Sequence, residues 1–143
     1  MEVLKYQRQK IVTYDKTGRP NGFLIPIYNE SESLLDPAQR PRQAYLTVVA
    51  PGMVKGPHLH MKRWGLFTCI RGDVKIIIQT PGGYEEHYSG ENHHFNTIQV
   101  PAGWAAALQN CGKSDAYVLN MPSPPWNPSD PDDHPVSFTD YPF

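Results

Sequence analysis

Turn-forming residues interrupt this chain so often that a long helix has no room to form: 15 prolines and 11 glycines fall among 143 residues. A proline inside a helix removes a hydrogen bond and collides with the preceding turn, so frequent prolines and glycines divide a chain into short extended runs. Between the breaks lie runs rich in β-branched and aromatic residues: Lys10–Tyr14, Phe23–Tyr28, Ala44–Ala50, Leu66–Ile70, Val74–Thr80, Tyr84–Tyr88, Phe95–Val100, Trp104–Gln109 and Ala116–Asn120. The first two flank a turn signal at Thr17–Gly22. Leu66–Ile70 and Val74–Thr80, separated by Arg71-Gly72-Asp73, read as a hairpin. Asn29–Arg42 reads as a loop with one helical turn at Ser33–Leu35. No stretch of about 15 residues carries a helical apolar period. Short strands at regular spacing predict an all-β sandwich or barrel.

The length fits a single domain over 1–143, with the barrel over about 10–121. From Pro122 onward the chain is proline-rich and acidic, but it keeps Trp126, Phe138, Tyr141 and Phe143. Disordered tails are poor in such residues, so an extended C-terminal arm over about 122–143, packed on the barrel or on a second subunit, is expected. The formal net charge of −1 gives no electrostatic support for nucleic acid or a membrane surface as partner. No apolar run approaches a membrane span, and the first residues are polar and charged, unlike a signal peptide. Two cysteines, Cys69 and Cys111, make neither a metal motif nor a disulfide framework. A cytoplasmic location with reduced thiols is therefore expected.

The stretch that carries chemistry runs from Gly52 to Gly72 and contains Gly56-Pro57-His58-Leu59-His60. On a strand, residues two apart share a face, so His58 and His60 project together; inside a barrel they project into its cavity. Two imidazoles on one wall can ligate a metal, or one can act as a base near neutral pH. Two surface histidines beside a basic Lys62-Arg63 turn are the plain alternative.

The spacing resembles the first motif of the cupin superfamily: Gly, five residues, His-x-His, three or four residues, Glu, six residues, Gly. Gly52, His58, His60 and Gly72 fall in place, while the Glu position holds Gly65. Pro101, Gly103 and Asn110 match the second motif, whose histidine position holds Ala106. The resemblance implies a cupin double-stranded β-helix, or jelly-roll barrel. Metal-binding members use three histidines and a carboxylate, and here only His58 and His60 remain; His87, His93, His94 and Glu91 are the possible substitutes. Without them a tight centre is not expected.

A metal-free branch of cupins is a closer likeness. Lys55–His60 is similar to the Arg-Gly-Leu-His-x-Gln of dTDP-4-dehydrorhamnose 3,5-epimerases, and Gly56–His60 to the Gly-x-His-x-His of dTDP-sugar 3,4-ketoisomerases. Pro101–Leu108 and Phe138–Pro142 resemble two further epimerase segments. The resemblance implies a homodimer that acts on a nucleotide-linked 4-keto-6-deoxy sugar by removing a proton beside the ketone, with no cofactor. It implies His58 as the base, oriented by Asp140, with His60 a second acid/base or substrate contact. Lys55 and Arg63 could meet phosphate, and Lys55, Lys62 or Arg71 could supply charge, Arg71 being equally readable as a turn residue. Trp64, Trp104 and Trp126 offer flat faces for a base or sugar. The family's Lys position holds Leu66 and its Tyr position is empty, leaving Tyr45 or Tyr141 as the acid. Two rival readings stay open: a metal-dependent, dioxygenase-like cupin using His58 and His60, and a cupin that binds a sugar without turning it over.

Overall fold

The computed structural model describes residues 1–31 and 35–143. Among the described residues eleven strands follow one another: β1 (Lys5–Arg8), β2 (Ile11–Tyr14), β3 (Pro20–Leu24), β4 (Tyr45–Val49), β5 (Val54–His58), β6 (Gly65–Arg71), β7 (Asp73–Thr80), β8 (Gly83–Gly90), β9 (Phe95–Val100), β10 (Ala106–Gln109) and β11 (Ala116–Asn120). They form a five-stranded sheet, β1-β9-β6-β11-β4, a four-stranded sheet, β5-β10-β7-β8, and a separate two-stranded hairpin, β2-β3. All strand pairs are antiparallel. This is the expected jelly roll. A single turn of 3-10 helix lies at Pro37–Gln39. The helical turn expected at Ser33–Leu35 falls mostly outside the described residues.

The two larger sheets face each other across one apolar layer. Val49, Cys69, Ile98, Val100, Ala116 and Val118 come from the first sheet, and Val74, Ile76, Ile78 and Leu108 from the second. Burying a side chain such as Ile76 or Ile78 stabilises the fold by about 1.5–3 kcal/mol relative to exposure. The Ile76-Ile77-Ile78 run breaks alternation because both faces of β7 are covered. Ile77 points the other way and packs with Ala105, Ala107 and Phe138, so residues from the C-terminal segment seal the outer face of the four-stranded sheet. The outer face of the five-stranded sheet carries Leu66 and Met121, which pack with Leu35, Ile27 and Tyr28.

Several sequence expectations change. β6 and β7 are not a hairpin: they belong to different sheets, and the chain turns a corner between them at Gly72. Gly72 has φ +75, and an added Cβ would lie 2.8 Å from the Asp115 carbonyl oxygen. The hairpin is β7–β8, in full register from Asp73↔Gly90 to Thr80↔Gly83. The second run begins at Pro20 rather than Phe23, and the five-stranded sheet reaches back to Lys5 through β1. β1 is short and polar, as suits the edge of a sheet. Asn110, a matched motif residue, has a structural task. Its amide nitrogen donates to the Val49 and Ser114 carbonyls and its oxygen accepts from the Gly112 N–H.

Candidate active site

The site is set by one irregularity in β5. Ala106 pairs with His58 and Leu108 with Lys55, so between these pairs two residues of β5, Gly56 and Pro57, oppose one of β10, Ala107. On a regular strand residues three apart face opposite ways; the extra residue re-phases the strand and turns both Lys55 and His58 inward. Gly56 makes this possible, with φ +94 and space so tight that an added Cβ would stand 3.0 Å from the Ala106 carbonyl oxygen. Beyond the strand, Leu59 packs on the outer face and His60 returns to the inner one.

Lys55, His58 and His60 line a cavity of about 200 Å³ between the two sheets, together with Arg63, Phe67, Trp104, Tyr45 and Asn120. The imidazoles of His58 and His60 lie nearly parallel, at 9°, with centroids 6.2 Å apart. Their environments differ. His58 is exposed, and its Nδ1 lies 3.6 Å from a carboxylate oxygen of Asp133. His60 is half-buried, and its Nδ1 is 2.6 Å from the main-chain carbonyl oxygen of Asp132. A carbonyl can only accept, so Nδ1 carries the proton and Nε2 keeps a lone pair in the neutral ring. Arg63 Nη2 lies 3.0 Å from Nδ1 and 3.1 Å from Nε2. A nitrogen equidistant from both would collide with the carbon between them if it lay in the ring plane, so it sits over the ring face. Burial lowers the His60 pKa below its ordinary value; the Asp132 bond works against this and the Arg63 charge adds to it. The neutral form of His60 is therefore favoured near neutral pH.

Two further groups on the cavity wall have fixed hydrogen-bond partners. Asn120 donates from its amide nitrogen to the Tyr45 hydroxyl oxygen at 2.6 Å, and its own oxygen accepts the Leu66 N–H. Tyr45 thus receives a hydrogen bond, which leaves its O–H to donate to a cavity ligand. Lys55 donates to the Thr47 hydroxyl at 2.8 Å, which holds the ammonium at the cavity wall.

The missing motif ligands also fall on this cavity: both Gly65 and Ala106 line it. A Cβ added to Gly65 would meet Phe67 Cε2 at 2.5 Å, so the Phe67 ring fills the space that a glutamate there would use. Among the described residues no group of three or more His, Cys, Asp or Glu side chains is arranged to hold an ion. With the Arg63 guanidinium over one imidazole, the donor set does not fit a three-histidine, one-carboxylate centre. The possible substitutes are engaged elsewhere. His87 bonds Glu85, His93 stacks on Tyr88, His94 meets Gln7, and Glu91 accepts the Gly72 N–H.

Other expected site residues lie away from the cavity. Asp140 sits in a turn between Phe138 and Tyr141, whose side chains pack on the outer face of the four-stranded sheet. Burial of Phe138 therefore carries Asp140 to the opposite side from His58, and the carboxylate beside His58 is Asp133. Arg71 stacks over the Tyr117 ring at the far end of β6 from Gly65. Seven residues of strand span about 20 Å, which takes Arg71 out of reach. Trp64 pairs with Ser123 through main-chain hydrogen bonds and does not line the cavity. Trp126 is exposed along a separate groove beside Lys62. Trp104 is the one tryptophan that lines the cavity. Phe67, Asn120, Asp132 and Asp133 escaped the sequence reading. The run of prolines and aspartates from Pro128 to Asp133 was the only available signal for the last two, and nothing local ties it to a histidine some 70 positions earlier.

Comparison with known proteins places the chain more narrowly. Residues 35–134 match the family model described as Polysaccharide biosynthesis C-terminal domain. Among solved structures, a dTDP sugar isomerase from Desulfovibrio desulfuricans superposes with TM-score 0.79 at 13% identity, covering 96% of this chain and 85% of that one. The epimerase RmlC from Legionella pneumophila, solved with dTDP-4-keto-L-rhamnose, gives 0.76 at 14% identity, with 96% and 74% covered. The sugar 3,4-ketoisomerase QdtA from Thermoanaerobacterium thermosaccharolyticum, solved with TDP, gives 0.66 at 19% identity, with 90% and 85% covered. These likenesses establish a shared cupin fold. No curated protein sequence matches the chain.

Proposed function

The chain belongs to the polysaccharide biosynthesis C-terminal domain family, and from that premise we propose that it is an epimerase or isomerase of a nucleotide-linked 4-keto-6-deoxy sugar that works without a metal. The observation that carries this reading is His60 on the cavity wall, with Nδ1 committed to the Asp132 carbonyl and Nε2 left as the basic atom. A proton on the carbon beside a ketone is acidic enough for a neutral imidazole to remove. The resemblance assigns the base to His58; the fixed tautomer and lowered pKa favour His60, with His58 and Asp133 as the adjacent acid/base pair.

Removing that proton leaves an enolate, whose oxygen needs a donor or a positive charge. Tyr45, whose hydroxyl oxygen accepts from Asn120 so that its O–H faces the ligand, is suited to donate to the sugar. Lys55 and Arg63 supply positive charge for the diphosphate or the enolate, and Trp104 supplies a flat apolar wall. The proton balance closes within the site: His60 takes one proton and a neighbouring donor returns one to the adjacent carbon or the opposite face of the same carbon.

The reading extends to a homodimer. The β2–β3 hairpin belongs to neither larger sheet, and a lone two-stranded hairpin is marginally stable in water. It exposes Ile11, Val12, Tyr14, Phe23 and Leu24, and the edge strand β4 exposes Leu46 and Val48. Among the described residues no helix is long and apolar enough to cross a membrane.

Titration of isotope-labelled protein with a dTDP-4-keto-6-deoxyhexose tests the reading, with the sugar followed by NMR for a new isomer. Shifts confined to the cavity residues and appearance of an isomer are expected. Binding without a new isomer would support a sugar-binding protein instead, and no binding would remove the nucleotide-sugar reading.

A further inference from the structure

Asp132 lies on the C-terminal segment, far in sequence from the histidines, yet it holds the chain around His60 by both of its oxygen-bearing groups. Its carbonyl takes the Nδ1 proton of His60. Its carboxylate accepts the main-chain N–H groups of three consecutive residues, Met61 at 2.9 Å, Lys62 at 2.9 Å and Arg63 at 3.0 Å. It also accepts His134 Nε2 at 3.1 Å. Next to it, a bridge between Leu59 and His134 aligns the two segments.

Backbone geometry explains how one residue does both. Asp132 has φ 51, in the left-handed region that Asp tolerates better than most residues. Three N–H groups aimed at one carboxylate form an anion-binding turn closed by a side chain of the same chain. Burial opposes ionisation of Asp132, but the hydrogen bonds outweigh it and hold its pKa down to about 2, so the clamp stays charged at every ordinary pH.

We infer that Asp132 is a positioning residue for His60: its carboxylate anchors the 61–63 turn so that its carbonyl fixes His60 in the Nδ1–H tautomer. The inference rests on the proposed role of His60 as proton acceptor. A neutral imidazole can carry its proton on either nitrogen, and only the Nδ1–H form leaves Nε2 free to take a proton from a substrate. Losing the anchor converts part of the His60 population to the form that cannot act as base through Nε2. Arg63 is affected too, because its main chain is one of the three anchored groups and its guanidinium lies over the same ring.

The test is read on the full chain without substrate. Long-range proton–nitrogen correlation on labelled protein reports which ring nitrogen carries the proton. The wild type is expected to show His60 as Nδ1–H at neutral pH. Asp132→Asn, which keeps one acceptor oxygen, and Asp132→Gly, which keeps the left-handed backbone and loses the carboxylate, are both expected to shift His60 toward Nε2–H. With a dTDP-4-keto-6-deoxyhexose, proton exchange should fall about tenfold in the same variants, less than the 10²–10⁴ that a general base supplies, because only part of the His60 population changes tautomer. An unchanged tautomer in variants whose amide spectra show an intact fold would overturn the inference. If neither variant folds, the wild type decides: His60 found as Nε2–H overturns it, and Nδ1–H supports it. If the tautomer shifts as expected but the wild type exchanges no proton of the sugar, the positioning stands and the sugar reading fails.

Discussion

The four-stranded sheet has two faces made by the same strands, and the chain finishes them differently. On the outer face Ile77, Ala105 and Ala107 are closed off by Phe138, with Val54, Leu59, Tyr84, Val136 and Tyr141 around them. On the inner face Lys55, His58, His60 and Trp104 open onto a cavity. Neighbours in sequence are divided between the two: Val54 is outside and Lys55 inside, Leu59 outside and His60 inside. Strand alternation makes most of this division, and the single extra residue near Gly56 makes the rest. The outer face therefore carries stability and the inner face carries polar chemistry, and substitutions on each should separate the two.

The largest expected effect is on the outer face. Phe138→Ala removes a side chain that is 5% exposed and should cost about 3–5 kcal/mol, read as a lower denaturant midpoint. His60 should keep its tautomer in the variant that remains folded. A coupled loss of both would break the comparison. Next comes Gly56→Ala, which forces a Cβ into the left-handed region and toward the Ala106 carbonyl. It should cost about 1–3 kcal/mol and also disturb the inner face, because it is the re-phasing residue. Shifted His58 resonances and weaker nucleotide-sugar binding would show this; an unaltered cavity would mean that the bulge does not set the site.

The sheet architecture and half of the site were legible in the sequence. Runs such as Val74–Thr80 and Ala116–Asn120 announce strands by composition, and the spacing of His58 and His60 announces a shared wall. Gly65 and Ala106 are recognisable as substitutions at ligand positions, and both line the cavity. β5 was not legible as a strand, because Lys55-Gly56-Pro57 has the residues of a break; its pairing comes from β10, about 50 residues later. Asp140 stands out only by its likeness to a family segment, but the side on which Phe138 buries is a tertiary property. Asp132 and Asp133 were hidden for the same reason, since their contacts with the histidines exist only once the C-terminal segment lies along residues 59–63.

Acidity sharpens the contrast between the two titratable partners of this region. His60 has a lowered pKa, so the unfolded chain binds more protons than the folded one below the ordinary histidine value of 6.5. Stability should accordingly decline as pH falls below 6.5, and proton exchange should fall once the folded ring itself becomes protonated. Asp132 has a depressed pKa of about 2 against an ordinary 3.8. Its contribution is complete above 3.8 and is lost as pH falls toward 2, so a second, separate decline is expected there. A denaturation series across pH in the wild type and in His60→Asn should show the first decline in the wild type alone.

The smallest effects distinguish the two carboxylates. The His58–Asp133 pair is exposed on both sides and is worth no more than about 1 kcal/mol, so Asp133→Asn should change exchange by at most about fivefold. Asp140→Asn, on the outer face, should change neither exchange nor stability beyond about 0.5 kcal/mol. A larger loss from Asp140 than from Asp133 would reverse the assignment of faces.

Deuterium uptake from heavy water into a dTDP-4-keto-6-deoxyhexose, compared between the wild type and His60→Asn, tests the central claim most directly. The account predicts incorporation at the carbon beside the ketone in the wild type and a loss of about 10²–10⁴-fold in the variant, with the fold intact. Undiminished incorporation in His60→Asn, or none in the wild type while the sugar nucleotide binds in the cavity, would contradict it.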